Sequence, residues 1–197
     1  MNILDKFHQW RRKRRWDKQY QRGHWENLKS EKESARYNQI IGYLKKYGNP
    51  NPVILDIGCG DGVLNERMQG LEFSGFLGLD FSKVSIEQAK TKNFPKAEFI
   101  SEDIIKFKPD RNFDVIVFNE AFYYIHETEK DNVLNRMLDH LNDGGIIITS
   151  IYREGIGCWE YFKENPKLKE LEFTTLKTDE ALQYWKIGVY GKVNGEW

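Results

Sequence analysis

Val53-Ile54-Leu55-Asp56-Ile57-Gly58-Cys59-Gly60-Asp61-Gly62 is the stretch on which the fold of this chain turns. Its first five residues form a short apolar run, as in a strand buried on both faces of a parallel sheet. Glycines follow at once, and a helical pattern runs from Val63 to about Met68. Strand, glycine loop and helix form the setting of a nucleotide-binding turn, because residues without a Cβ let the backbone turn sharply and come close to a ligand.

Before this stretch, Gly48-Asn49-Pro50-Asn51-Pro52 ends a helix predicted over residues 30–47. Ser30 can cap that helix, Glu33 stands three residues on, and Tyr37, Ile40, Ile41 and Leu44 line one face. After it, Phe76–Asp80 reads as a second strand closing on a carboxylate, and Ser82 caps a helix to about Lys92. Residues 97–101 and 113–119 are the third and fourth strands. A helix over 127–141 (Val133, Leu134, Met137, Leu138, Leu141) stops at Asn142-Asp143-Gly144-Gly145. A fifth strand over 145–151, a helix near 158–170 and strands around 171–177 and 184–192 complete the chain. Such alternation predicts an α/β fold, an open, mostly parallel, doubly wound sheet with helices on both faces. Ligands of such sheets sit beyond the C-terminal strand ends, where the strand order reverses.

Spacing narrows the ligand. A dinucleotide turn, G-x-G-x-x-G, would need a third glycine at position 63, which is Val63; the third glycine comes one place early, at Gly62. Asp56 would repel a pyrophosphate and attract a positively charged amino-acid head. Asp80 stands 20 residues after Gly60, where a carboxylate grips ribose hydroxyls. The ligand implied has a ribose and a cationic end rather than a diphosphate.

Composition sets the frame. The 197 residues, 40% hydrophobic and 30% charged, suit one globular domain. No apolar run approaches the roughly 20 residues of a membrane-spanning helix, which excludes an integral membrane protein of that kind. The N-terminal MNILDKFHQWRRKRRW does not read as a secretory signal. Cys59 and Cys158 do not form a disulfide framework and fit a reducing, cytoplasmic setting. The formal charge of zero hides an asymmetry: residues 1–49 hold 13 Lys+Arg against 5 Asp+Glu, and the rest hold 17 against 25. The cluster Arg11–Arg15 reads either as a solvated helix face or as a contact for an anionic partner. Ile3, Phe7 and Trp10 fall at helical spacing beside it. The expected organisation is an N-terminal helical lid or arm over residues 1–49 and a core over residues 50–197.

Taken together these motifs resemble the S-adenosylmethionine-dependent methyltransferases of the Rossmann-like class, with a seven-stranded sheet. VILDIGCGDG resembles the first motif, GLD ending at Asp80 the second, Ser101-Glu102-Asp103-Ile104 the third, FDVIVFNEAFYYI the fourth and LNDGGIIITS the fifth. The resemblance covers residues 50–152 in the right order. It implies that Asp56, Gly58, Cys59 and Gly60 hold the methionine part of S-adenosylmethionine and that Asp80 binds the ribose. It further implies that Phe81 lies against the adenine, that Asp103 and Ile104 contact the base, and that Asn119 and Glu120 line the floor between cofactor and acceptor. Trp16-Asp17-Lys18-Gln19-Tyr20, Gly23-His24-Trp25 and Arg36-Tyr37 are similar to a lid of small bacterial methyltransferases, including nodulation-type N-methyltransferases. By that resemblance Tyr20, Trp25 and Arg36 close over the methionine end. Several of these residues also have a plain structural reading: Trp25 and Tyr37 as core aromatics, Asp103 as a helix cap, Cys59 and Cys158 as packing residues.

Methyl transfer is an in-line displacement at a sulfonium carbon, and a base helps where the acceptor carries a proton. The candidates after the fourth strand are Glu120, Tyr123, Tyr124 and His126, of which His126 has the suitable unperturbed pKa and could equally be a capping residue. Tyr152 and Arg153 stand where an acceptor could bind. No Cys/His set has zinc spacing, and Asn119-Glu120 does not repeat the carboxylates of magnesium-dependent catechol methyltransferases, so no metal is expected. Asn119-Glu120-Ala121-Phe122 lacks the Pro-Pro-Tyr of the amino-methyltransferases acting on DNA adenine or protein glutamine. The expectation is a cytoplasmic O- or N-methyltransferase for a small, anionic or saccharide-containing metabolite, with no DNA partner. The alternatives are an RNA methyltransferase docking through Arg11–Arg15 and a non-catalytic, cofactor-binding regulatory protein.

Overall fold

Val53–Ile57 forms β1, and its alternate side chains serve opposite faces of the sheet. Leu55 and Ile57 join one apolar cluster, with Ile116, Phe118, Val133, Leu134 and Phe162. Ile54 joins the other, with Tyr37, Ile40, Val115, Val117 and Ile86. Burial on both sides is why the strand reads as an unbroken apolar run rather than an alternating one.

The computed structural model describes residues 3–178 and 183–193, with side chains from Arg11 onward except that of Arg12. The expected stripe of Ile3, Phe7 and Trp10, and Arg12 of the basic cluster, lie outside the described side chains. The order begins with α1 (Ile3–Gln21), a 3-10 turn (Glu26–Lys29) and α2 (Glu31–Tyr47), followed by β1, α3 (Val63–Arg67), β2 (Gly75–Asp80) and α4 (Lys83–Thr91). Next come β3 (Ala97–Ser101), β4 (Phe113–Asn119), a 3-10 turn (Phe122–Tyr124), α5 (Glu127–Asp139) and β5 (Leu141–Tyr152). The chain closes with α6 (Glu160–Lys163), β6 (Leu168–Lys177) and β7 (Tyr184–Lys192). The seven strands lie in the order β3-β2-β1-β4-β5-β7-β6. β1 to β5 are parallel, and β7 runs antiparallel between β5 and β6. This is the expected doubly wound, mostly parallel sheet. The strand order reverses between β1 and β4, which opens the crevice at their C-terminal ends.

Four local expectations are corrected. Ser30 precedes α2 but its side chain makes no capping bond, and the Glu33 carboxylate is held by Arg36, with Arg36 Nη2 at 2.8 Å from Glu33 Oε2. The helix expected over 127–141 ends at Asp139, and the expected stop Asn142–Gly145 lies inside β5. There Leu141 pairs with Phe113 before the register jumps to Val115–Ile146, and Asn142 Nδ2 donates to Asp114 Oδ1 across the irregularity at 2.8 Å. The helix expected near 158–170 shrinks to the single turn Glu160–Lys163. Pro166 disfavours helical backbone at Asn165, and β6 takes over from Leu168.

Helix α1 lies against α4. Asp17 Oδ1 accepts from Ser82 Oγ at 2.6 Å, while Ser82 Oγ accepts from the N–H of Ser85 and caps α4 as expected. This contact carries α1 across the open end of β2.

Candidate active site

The loop after β1 turns through three left-handed glycines, Gly58 (φ 78°), Gly60 (φ 57°) and Gly62 (φ 84°). Two of them are also sterically bound to be glycine. A Cβ on Gly58 would stand 2.7 Å from that of Ala121, and one on Gly60 would run into the Tyr20 hydroxyl. The N–H groups of Gly58 and Cys59 donate to the Leu79 carbonyl at 2.7 and 3.1 Å, tying the loop to β2.

Two buried carboxylates flank this turn. Asp80 accepts from Gly60 N–H at 3.0 Å and from Ser82 N–H at 2.8 Å. Burial pushes its pKa up to about 6, against the pull of those two bonds. Burial and then the charge of Asp80 push Asp56 up to about 7, and Arg36 opposes the shift. Asp56 Oδ1 is buried with no hydrogen-bond partner.

A cavity of about 520 Å³ opens beside them at the strand ends. Gly58, Asp80 and Phe81 form one wall, Asp103 and Ile104 a second, and Glu120, Ala121 and Tyr124 the floor. Lys13 and Trp16 of α1 close it from above. Trp16 meets Tyr124 edge-on at 4.8 Å, Phe81 at 5.1 Å and Trp25 at 5.8 Å between ring centroids. Seven residues singled out in the sequence thus meet around one space. Lys13 and Trp16 were not named as lining residues, because Lys13 reads as part of the basic cluster and Trp16 only as the start of the lid motif. Their i, i+3 spacing was the available signal.

The remaining candidates sit as follows. Tyr20 is buried with its hydroxyl against Gly60, and its ring lies 6.1 Å from that of Trp25. Arg36 is buried in α2, its guanidinium 4.5 Å from the Tyr37 ring and 5.6 Å from that of Trp185. Its Nη1 donates to Asn119 Oδ1 at the end of β4. Glu120 adopts a left-handed backbone (φ 57°) and accepts from Ser150 Oγ at 2.7 Å, Tyr123 OH at 3.0 Å and Tyr152 N–H at 3.1 Å. Burial raises its pKa despite these bonds. Asp103 lines the cavity and accepts from Ile105 N–H at 3.0 Å; the helix-cap reading is corrected, because only a turn, and no helix, follows it before β4.

His126 does not line this cavity. It is exposed and caps α5, its Nδ1 accepting from Thr128 N–H at 3.4 Å. Cys59 is buried with its thiol pushed well up by burial, and it packs under Gly78. Cys158 is buried beside Lys130, Nζ to Sγ 3.4 Å. Among the described residues no group of three or more His, Cys, Asp or Glu could hold a metal ion. No helix among them is long and apolar enough to cross a membrane.

A family model for a methyltransferase domain matches residues 49–188. Malonyl-[acyl-carrier protein] O-methyltransferase 2 of Ilyobacter polytropus is 32% identical over 122 residues, covering 60% of this chain and 45% of its own length. The eEF1A lysine and N-terminal methyltransferase of Bos taurus is 26% identical over 116 residues, covering 57% and 17%. The chain thus spans less than half of either relative. Among solved structures, the fold is similar to that of the N-methyltransferase NodS from Bradyrhizobium japonicum WM9 in complex with S-adenosyl-L-homocysteine. The TM-score is 0.73 at 20% identity, over 86% of this chain and 91% of that one. A TehB-like S-adenosylmethionine-dependent methyltransferase from Corynebacterium glutamicum gives 0.67 at 19% identity, over 89% and 97%.

Proposed function

The chain belongs to the methyltransferase-domain family, S-adenosylmethionine-dependent enzymes, and from that premise we propose that it methylates an oxygen or nitrogen of a small, anionic or saccharide-containing metabolite. The observation that carries the reading is the pair of buried carboxylates on either side of a left-handed glycine turn, one of them with an unpartnered oxygen. An unpartnered buried carboxylate oxygen is costly unless a donor reaches it, and the ammonium of the cofactor is such a donor. The residues present fit that molecule. Asp56 and the Gly58–Gly60 backbone would hold its amino-acid part, Asp80 its ribose, and Phe81, Asp103 and Ile104 its base.

When bound, the cofactor supplies an electrophilic methyl group. The protein's own part is alignment, which contributes on the order of 7–11 kcal/mol when the geometry is good. Asn119, held by Arg36, and Glu120, held by Ser150, Tyr123 and the Tyr152 N–H, would form a fixed floor under the reacting atoms. Trp16, in edge contact with Tyr124, would exclude water from the cavity. Glu120 is so fully engaged that its role in this reading is to fix the floor.

The O- and N-methyltransferases among the similar proteins support a choice between those two acceptor atoms. Calorimetry with S-adenosylhomocysteine tests the first half of the reading, and labelled methyl transfer to a panel of small carboxylates, amines and saccharides tests the second. Failure to bind S-adenosylhomocysteine would sink the whole reading, whereas transfer only to RNA would replace the acceptor.

A further inference from the structure

The cavity lining divides by what its residues already do. Gly58, Asp80, Phe81, Asp103 and Ile104 go to the cofactor in the reading above. Lys13, Trp16, Lys106, Tyr124 and Ile125 are left on the part of the lining that an acceptor can use. Tyr152 and Arg153, the acceptor candidates of the sequence, are not on this lining.

Charge divides the lining again. Its carboxylates are Asp80, Glu102, Asp103 and Glu120. Asp80 is held by Gly60 and Ser82 N–H, Asp103 by Ile105 N–H, and Glu120 by Ser150, Tyr123 and Tyr152. Its cations are Lys13, half-buried on α1, and Lys106, exposed in the turn after β3. Neither ammonium makes a hydrogen bond or ion pair among the described residues. An ammonium has three donors and no acceptor, so a half-buried one is completed by an anion or by water.

Helix α1 sets where Lys13 stands. Lys13, Trp16 and Tyr20 follow one another on a single helix face. Tyr20 lies on Gly60, and Trp16 meets Phe81 and Tyr124. Lys13 is therefore a further turn away from the glycine loop, at the rim of the cavity. Arg11, Arg15 and Lys18 are exposed on the same helix and add to the positive field there.

We propose that Lys13 and Lys106 are acceptor-binding residues, and that the acceptor is an anion whose carboxylate or phosphate they hold at the rim of the cavity. The choice left open above, between an anionic and a saccharide-containing acceptor, then falls on the charged group. This rests on the reading that S-adenosylmethionine fills the strand-end side of the cavity.

Calorimetry on the protein saturated with S-adenosylhomocysteine tests this, with inorganic pyrophosphate and citrate as anionic probes and maltose as the neutral one. At least one anion is expected to bind more tightly than maltose. A preference for pyrophosphate would name a phosphate acceptor, and one for citrate a carboxylate. Lys13→Met and Lys106→Met should each weaken the bound anion about tenfold or more and leave S-adenosylhomocysteine unchanged. Lys108→Met removes an equal charge from an exposed position off the lining and should leave the anion unchanged. Lys13→Arg should retain it. Binding of neither anion would overturn the proposal, as would maltose bound as tightly as either. An equal loss in Lys108→Met, or an anion that S-adenosylhomocysteine displaces, would also overturn it. A protein that does not bind S-adenosylhomocysteine would instead sink the cofactor reading, and the proposal with it.

Discussion

The backbone N–H of Gly60 donates to the Asp80 carboxylate at 3.0 Å, so the turn after β1 and the end of β2 act as one unit. The same carboxylate accepts from Ser82 N–H at 2.8 Å, and its removal leaves two buried donors without an acceptor. Each orphaned donor costs about 1–3 kcal/mol. Asp80→Ala is therefore expected to lower Tm by several degrees, at about 2–4 °C per kcal/mol for a chain of this size, and to weaken S-adenosylhomocysteine at least tenfold. Asp80→Asn keeps one acceptor and should lose affinity with a smaller fall in Tm. Thermal unfolding and calorimetry on the two variants check this, and wild-type affinity in Asp80→Ala would remove the ribose role.

Gly58 and Gly42 give a matched pair. At Gly58 a Cβ meets that of Ala121 at 2.7 Å and the backbone is left-handed, whereas at Gly42, exposed in α2, a Cβ meets nothing within 4 Å. Gly58→Ala should destabilise by more than about 2 kcal/mol, combining the left-handed penalty with overpacking. Gly42→Ala should stabilise by up to about 1 kcal/mol through helix propensity. Urea midpoints read both, and a Gly58→Ala protein as stable as wild type would show that the loop tolerates a side chain.

These glycines also show what the sequence made legible. β1, β3, β4 and the cap at Ser82 match the sequence reading because a doubly buried strand and a capped amphipathic helix leave local marks at fixed spacing. The cavity wall from Gly58 to Tyr124 was legible for a related reason, since parallel topology brings successive strand ends together. What failed was non-local. Asn142–Gly145 enters a strand because Leu141 finds Phe113 across the sheet. Trp16 and Lys13 became lining residues only through the docking of α1 on Ser82, a contact spanning 65 positions. His126 had chemistry that suggested a base, and the structure places it at the start of α5, off the cavity wall.

If Asp56 holds the cofactor's ammonium as proposed, cofactor affinity is expected to depend on pH. Its pKa rises from 3.8 to about 7 in the folded protein, so the unliganded fold favours the protonated form. The stability this contributes is fully present below about pH 4 and lost as pH rises through about 7. A ligand ammonium reverses the preference, because it requires the ionised carboxylate. Affinity for S-adenosylhomocysteine should therefore rise with pH to about 7 and then level, with proton release on binding at about pH 6. Calorimetry in buffers of different ionisation enthalpy measures that release. Asp56→Asn should remove most of it, leaving the smaller contribution of Asp80, whose pKa of about 6 lies in the same direction.

Replacement of His126 separates a cap from a base. A general base must come within about 3.2 Å of the proton it takes, and His126 is exposed at the first turn of α5 with Nδ1 turned to Thr128. His126→Ala is expected to cost about 0.5 kcal/mol of stability, the low end for a cap whose bond is 3.4 Å long, and to leave kcat unchanged. Glu120→Gln should behave in the opposite way. Its amide would face the Ser150, Tyr123 and Tyr152 donors with an N–H₂ of its own, so stability and kcat should fall together. Steady-state kinetics from about pH 6 to 8 distinguish the two. A loss of about a hundredfold or more in His126→Ala, with the acidic limb of the pH profile abolished, would place the base at His126 after all and require α5 to swing its first turn over the cavity.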